Sequence, residues 1–317
     1  MRVVFMGTPA FAIPVLDALT EAEGVEVAGV FTPPDRPGGR GRNPVPSPVK
    51  THALARGLNL LQPPSLRTDK AQESLAGLSP DVIVVAAYGR ILPPRVLALP
   101  LHGCLNLHPS LLPRYRGPSP VVTAILDGGA ATGVSLMLLD QGMDTGPVID
   151  RRDFDLAGQE TAETLTADLF RLGTGMLLDN LEPWVAGKLV PQPQNEADST
   201  VTRKVEREDG RADWQVSGAQ LERRRRAYTP WPGLYTFWEG KVLKLLSVTD
   251  LPTDAIPEAA RDRSPGSVVP LSSEETPLGV ITGLGVLGLK SLQLEGRKAV
   301  PAPEFLRGYP TMMGAQL

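Results

Sequence analysis

The first half of the chain alternates apolar runs of strand length with stretches of helical spacing. An apolar run over 3–6 predicts a strand, followed by Gly7-Thr8-Pro9 and an amphipathic stretch over 11–19. Further strands are expected over 25–31, 82–87, 105–108 and 134–139, with helical patterns over 52–56 and 161–181. Strands alternating with helices imply a mostly parallel sheet covered on both faces. Such sheets bind ligands beyond the carboxyl ends of their strands.

Past 181 the pattern changes. Residues 191–200 are polar and proline-containing without periodicity, and read as a linker. A helix is expected over 217–228, opened by the capping-box spacing of Ser217 and Gln220. Short β-type runs over 234–238, 242–248, 279–281 and 286–292 suggest a small β-barrel. The expected organisation is an α/β Rossmann-like domain over 1–190, a linker over 191–206 and a β-barrel domain over 207–317.

Composition fits this layout. With 317 residues, 42% hydrophobic and 21% charged, the chain is globular and long enough for two domains. Its one cysteine, Cys104, excludes an internal disulfide and favours a reducing compartment. The apolar run over 82–88 is of strand length, far short of a membrane span, and the N-terminal run is too short for a signal peptide. A soluble cytoplasmic protein is expected, and a monomer, since no heptad seam is visible.

The net charge of −3 gives no sign of a nucleic-acid partner, but its distribution does. Residues 203–244 carry ten basic and six acidic side chains, and residues 35–50 four basic and one acidic. Two basic islands on a mildly acidic protein suit a phosphate backbone. On charge alone, ordinary solvated faces explain them as well. Three histidines and one cysteine have no metal-ligand spacing, so no metal is expected. Gly-Leu-Gly-Val-Leu-Gly at 283–288 matches a dinucleotide fingerprint, but residues 289–294 alternate as a strand where the fingerprint needs a helix.

Candidate chemistry lies in the alternating stretch Cys-Leu-Asn-Leu-His at 104–108. Successive strand side chains point to opposite faces, so Asn106 and His108 share one, roughly 6–7 Å apart. Pro109 cannot donate to the ladder and ends the strand. Downstream, glycines flank Asp144 in Gly-Met-Asp-Thr-Gly at 142–146, a composition that bends a loop back toward the sheet edge. If Asp144 reaches His108, Asn106 and His108 can donate to a developing oxyanion while Asp144 orients the imidazole and takes a proton. That set suits direct acyl transfer to an amine better than a covalent acyl-enzyme.

These residues resemble a known family. Asn-Leu-His-Pro-Ser-Leu-Leu-Pro at 106–113, followed by Arg-Tyr-Arg-Gly at 114–117, is similar to the signature of 10-formyltetrahydrofolate-dependent formyltransferases. The 142–146 stretch resembles that family's second signature. Phe-Met-Gly-Thr-Pro at 5–9, Phe-Thr-Pro-Pro-Asp-Arg-Pro-Gly-Gly-Arg-Gly at 31–41, Pro-Ser-Pro-Val-Lys at 46–50 and Ala-Tyr-Gly-Arg-Ile-Leu-Pro at 87–93 resemble the members acting on methionyl-tRNA. So do Asp213-Trp214, Gln-Leu-Glu-Arg at 220–223 and Arg-Ala-Tyr-Thr-Pro-Trp-Pro at 226–232, so the resemblance spans essentially the whole chain.

The resemblance implies a Rossmann-like formyltransferase domain and a C-terminal OB-like β-barrel. It implies formyl transfer from 10-formyltetrahydrofolate, as co-substrate, to the α-amino group of initiator methionyl-tRNA. It implies catalytic roles for Asn106, His108 and Asp144. Ser110, Leu111, Leu112 and Pro113 would border the folate, and Tyr88, Gly89, Ile91 and Leu92 would flank its pterin. The 35–50 loop resembles an insertion that enters the tRNA acceptor stem, with Arg40 and Arg42 as the phosphate-contacting pair. Pro109 stands where many members carry Gly. The four arginines at 223–226 fan around a helix, so they cannot all face one ligand. The same trio would also serve a formyltetrahydrofolate hydrolase or a small-amine formyltransferase, whereas a non-catalytic tRNA-binding protein has no use for it.

Overall fold

A computed structural model describes residues 1–38 and 43–317, so Arg40 and Arg42 lie outside the described residues. The chain divides into two units. The first comprises Met1–Pro120, Ala130–Leu156 and Thr166–Arg203; the second comprises Val121–Gly129, Ala157–Leu165 and Lys204–Leu317. Two short segments from the first half thus group with the C-terminal unit, where the sequence suggests a single linear cut.

In chain order the strands begin with β1 (Arg2–Gly7), β2 (Glu26–Phe31), β3 (Arg36–Gly38), β4 (Asn43–Val45) and β5 (Leu60–Leu61). They continue with β6 (Val82–Ala86), β7 (Cys104–His108), β8 (Ala131–Leu138) and β9 (Val148–Asp155). The main sheet has the order β5-β2-β1-β6-β7-β8-β9. Pairing is parallel from β5 through β7 and antiparallel at β8 and β9. β3 and β4 pair antiparallel as a separate ribbon.

The central strands are continuous apolar runs because both faces are covered. The helices are α1 (Ile13–Glu21), α2 (Pro48–Ala55), α3 (Asp69–Ala76), α4 (Pro94–Leu97), α5 (Pro120–Asp127) and α6 (Ala162–Val185). On one face, Val15, Leu16 and Leu19 of α1 and Phe170, Met176 and Leu177 of α6 pack on Val3, Phe5, Val84, Leu105 and Leu107. On the other, Leu75 of α3 and Val96 of α4 pack with Val4, Met6, Ile83, Val85 and Cys104. Strand alternation sends successive side chains into opposite clusters. Helix α2 starts earlier than its apolar pattern suggests. Ser47 caps it by accepting the Lys50 N–H at 3.1 Å, and Pro48 fills the first turn.

The segment expected as a linker, 191–206, is bonded to the first unit along most of its length. Gln192 bridges to Val148 and Val201 to Arg116. Polar and aperiodic residues here hydrogen-bond to distant loops and do not float free.

The second unit adds α7 (Gly218–Ala227), β10 (Tyr235–Trp238), β11 (Lys241–Leu251), β12 (Val268–Pro270), β13 (Leu278–Ile281), β14 (Val286–Leu294), β15 (Val300–Pro301) and α8 (Ala302–Gly308). Its antiparallel sheet has the order β10-β11-β14-β13-β12, with β15 also on β14. Trp214, Leu221, Trp238, Leu243, Leu289 and Phe305 are among the buried residues of its core. The Ser217–Gln220 capping box is formed. At the glycine-rich stretch 283–288, Gly285 takes φ +80° in the turn before β14, and no helix opens. Of the four arginines, Arg225 and Arg226 both pair with Glu222, and buried Arg226 also donates to the Glu160 carbonyl. Two of the four are therefore structural. Among the described residues no helix is long and apolar enough to cross a membrane.

Candidate active site

Asn106 and His108 sit on β7, held between Val85 of β6 and Met137 and Ser135 of β8. Leu105 and Leu107 are locked in the core on the opposite face, and this fixes the direction of the polar pair. His108 is 4% exposed, while Asn106 is half-buried. Among the described residues the Asn106 amide makes no hydrogen bond, so none of them takes up its donors.

His108 is engaged on both sides of its ring. Nε2 lies 3.0 Å from the Tyr115 carbonyl, and Nδ1 lies 3.7 Å from Asp144 Oδ2. A carbonyl only accepts, so Nε2 carries hydrogen in this arrangement. The Asp144 gap exceeds a hydrogen bond but keeps a charge beside the ring. Asp144 Oδ2 also accepts the Gly117 N–H at 2.7 Å.

Unusual backbone gathers here. Five described non-glycine residues have left-handed φ, and three are Ala87 after β6, Tyr115 and Asp144, at +51°, +58° and +57°. Such residues cost on the order of 1–3 kcal/mol each and persist where surrounding bonds fix them. The glycines make room. A Cβ at Gly146 would run into the Leu138 carbonyl, and one at Gly117, where φ is +98°, would lie 2.8 Å from the Thr202 carbonyl. The 140–145 turn closes on Asp140, which accepts from Gly142 N–H and from the Thr145 hydroxyl.

The residues expected around folate divide by burial. Ser110, Leu112, Tyr88 and Leu92 are buried and frame the loops; Leu111 is half-buried and Ile91 is 80% exposed. Pro113 is half-buried and ends the turn. Gly89 has φ +76° with open space where a Cβ would stand. The Tyr88 hydroxyl is buried without a partner among the described residues, and burial raises its pKa. Burial likewise pushes the Cys104 thiol up to about 12, which makes it an inert core group. No cluster of three or more His, Cys, Asp or Glu residues able to hold a metal occurs among the described residues.

Several positioning residues leave no local signal in the sequence. Ser135, fully buried, donates to the Ser110 carbonyl at 2.7 Å and accepts the Leu112 N–H at 3.0 Å, which fixes the 110–113 turn. Ser135→Ala strands that N–H and should cost about 1–3 kcal/mol of stability, read by urea denaturation. An unchanged midpoint would show that Ser135 does not hold the turn. Gln194, Thr200 and Thr202 also bond to the loops that carry Tyr115, Arg116 and Asp144. Their partners lie 48–86 residues away in sequence, so no local pattern announces them.

Residues 1–181 match the model of the family described as formyl transferase, and residues 204–310 that of its C-terminal domain. The chain is 46% identical over 308 residues to the methionyl-tRNA formyltransferase of Chloroflexus aggregans, covering 97% of each chain. It is 43% identical over 320 residues to that of Roseiflexus castenholzii, covering 100% of this chain and 99% of the other. In structure it is similar to a methionyl-tRNA formyltransferase from Clostridium thermocellum, with TM-score 0.56, 18% identity, and coverage of 78% of this chain and 93% of that one. HypX from Aquifex aeolicus in complex with tetrahydrofolic acid aligns with TM-score 0.62 at 20% identity, over 96% of this chain and 47% of that one.

Proposed function

The chain belongs to the formyl transferase family, and from that premise we propose that it transfers the formyl group of 10-formyltetrahydrofolate to the α-amino group of initiator methionyl-tRNA. The observation that carries this reading is similarity over nearly the whole length to methionyl-tRNA formyltransferases, at 46% identity over 97% of both chains. The unpartnered Asn106 amide beside His108 and Asp144 supports it chemically. Such a substrate is met in the cytoplasm, and the reaction needs only a monomer.

In this mechanism the neutral amine attacks the formyl carbon, and charge gathers on the formyl oxygen. Asn106 donates to that oxygen with an amide for which no described residue competes. His108, anchored through Nε2 on the Tyr115 carbonyl, turns Nδ1–H toward the same oxygen. Asp144 balances the imidazolium and takes the proton leaving the amine, directly or through water. The bond from the formyl carbon to the folate nitrogen then breaks, and a proton returns to that nitrogen. Ser110 to Pro113 and Tyr88 to Leu92 border the folate, with Leu111 and Ile91 as the apolar side chains available to it.

Arg40 and Arg42, in the stretch of sequence between β3 and β4, contact the acceptor stem. The second unit carries a cleft of about 540 Å³ whose lining includes Arg297, Lys298, Arg307, Phe305 and Tyr309. Cations beside aromatic rings suit an RNA backbone and its bases. Arg40→Ala with Arg42→Ala should raise the KM for tRNA, leave the folate KM alone, and flatten the salt slope by roughly 1–2. Unchanged tRNA kinetics would take the loop out of recognition.

The deciding assay follows label from 10-formyltetrahydrofolate with charged initiator tRNA, with a panel of small amines, or with no acceptor. Label on tRNA alone is expected. Free formate without acceptor would mean a hydrolase, and labelled small amine a different formyltransferase.

A further inference from the structure

We infer that Gln194, held by the Arg116–Glu196 ion pair, is a positioning residue that sets the catalytic placement of Asp144; the inference rests on the reaction proposed above. Both hydrogens of the Gln194 amide are used: Nε2 donates to the Asp144 carbonyl at 2.8 Å and to the Gly146 carbonyl at 2.7 Å. Its Oε1 accepts from Arg116 Nε at 2.9 Å. An arginine nitrogen can only donate and a carbonyl can only accept, so these partners admit one orientation of the amide. Arg116 is itself 4% exposed and forks onto Glu196 through its two terminal nitrogens at 2.9 and 2.8 Å. That bond keeps the Glu196 carboxyl below its usual range.

The clamp acts where the backbone needs it. Asp144 is a non-glycine residue at φ +57°, and its carboxylate must stay beside His108 while accepting from Gly117. The neighbouring loop is tied to the same segment. The Tyr115 N–H donates to the Thr200 hydroxyl at 2.8 Å, and Thr202 N–H donates to the Arg116 carbonyl at 2.7 Å. Residues 194–202 thus strap together the loop that orients His108 and the loop that carries Asp144.

Loss of the strap's central amide should displace Asp144 without removing it. A misplacement of about 1 Å costs on the order of 10²-fold in rate. Gln194→Ala, measured on full-length enzyme under single-turnover conditions, should lower the rate of formyl transfer by about 10- to 100-fold with KM for both substrates retained. Gln194→Met, which keeps the length and volume, should do the same, and remains informative if the alanine variant folds poorly. In an Asp144→Asn background the same substitutions should add almost nothing, because they act through the missing carboxylate. A role confined to stability would lower the melting temperature and spare the rate per folded molecule.

Near-normal rates in both Gln194 variants, or losses additive with Asp144→Asn, would overturn the clamp. A fully active Asp144→Asn enzyme would overturn the proposed mechanism itself, so the two failures are distinct.

Discussion

Asp144→Asn is expected to slow formyl transfer by about 10²–10⁴-fold, the range that positioned acid–base groups contribute. The substitution is nearly isosteric. The remaining side-chain oxygen still accepts the Gly117 N–H, and Gln194 grips only backbone carbonyls in this loop. The fold should therefore survive, which circular dichroism would confirm. What disappears is a negative charge 3.7 Å from His108 Nδ1 and an acceptor for the amine proton. Rapid-quench turnover with enzyme in excess should separate this loss from binding, and the KM for tRNA should hold. Near-normal turnover would mean that water or the nucleotide itself manages the proton, with Asp144 as scaffold.

Asn106→Ala carries the second large effect, a fall of about 10²–10³-fold in kcat, as seen when one oxyanion donor is removed. Its companion expectation concerns stability. Because the amide makes no hydrogen bond among the described residues, its removal strands no partner. It also relieves a half-buried polar group of an unmet demand. The melting temperature should stay level or rise while activity collapses, the exchange of stability for function that working sites display. A lower melting temperature together with intact kcat would recast Asn106 as a structural residue.

The strand that carries Asn106 and His108 is legible in the sequence because alternation, burial and a terminating proline all act locally. Leu105 and Leu107 must face the core, so Asn106 and His108 face away from it. Helix α7 is equally plain, since Ser217 and Gln220 cap it within one turn. Strand β9 is hidden because it is an edge strand whose charged outer face breaks the apolar signal. Strands β12 and β15 are too short to show a period. The strap over 194–202 reads as a linker for a deeper reason. Its order comes from bonds to Tyr115, Arg116, Asp144 and Gly146, and hydropathy carries no record of such partners. The grouping of Val121–Gly129 and Ala157–Leu165 with the second unit is likewise a tertiary fact.

Gln194 and Thr200 also bear on how the enzyme is born. A ribosome releases the chain from its N-terminus at about 5–20 residues per second. Asn106, His108 and Asp144 therefore emerge, and their sheet can begin to form, before the amide and hydroxyl that fix their loops have been synthesised. A polypeptide ending at residue 181, where the N-terminal family match stops, would contain all three of the proposed reacting groups and neither anchor. Translation halted between that point and residue 194 would leave the chain without either anchor. On the proposed reaction, the nascent chain would reach full competence only once residues 194–202 are free to bond.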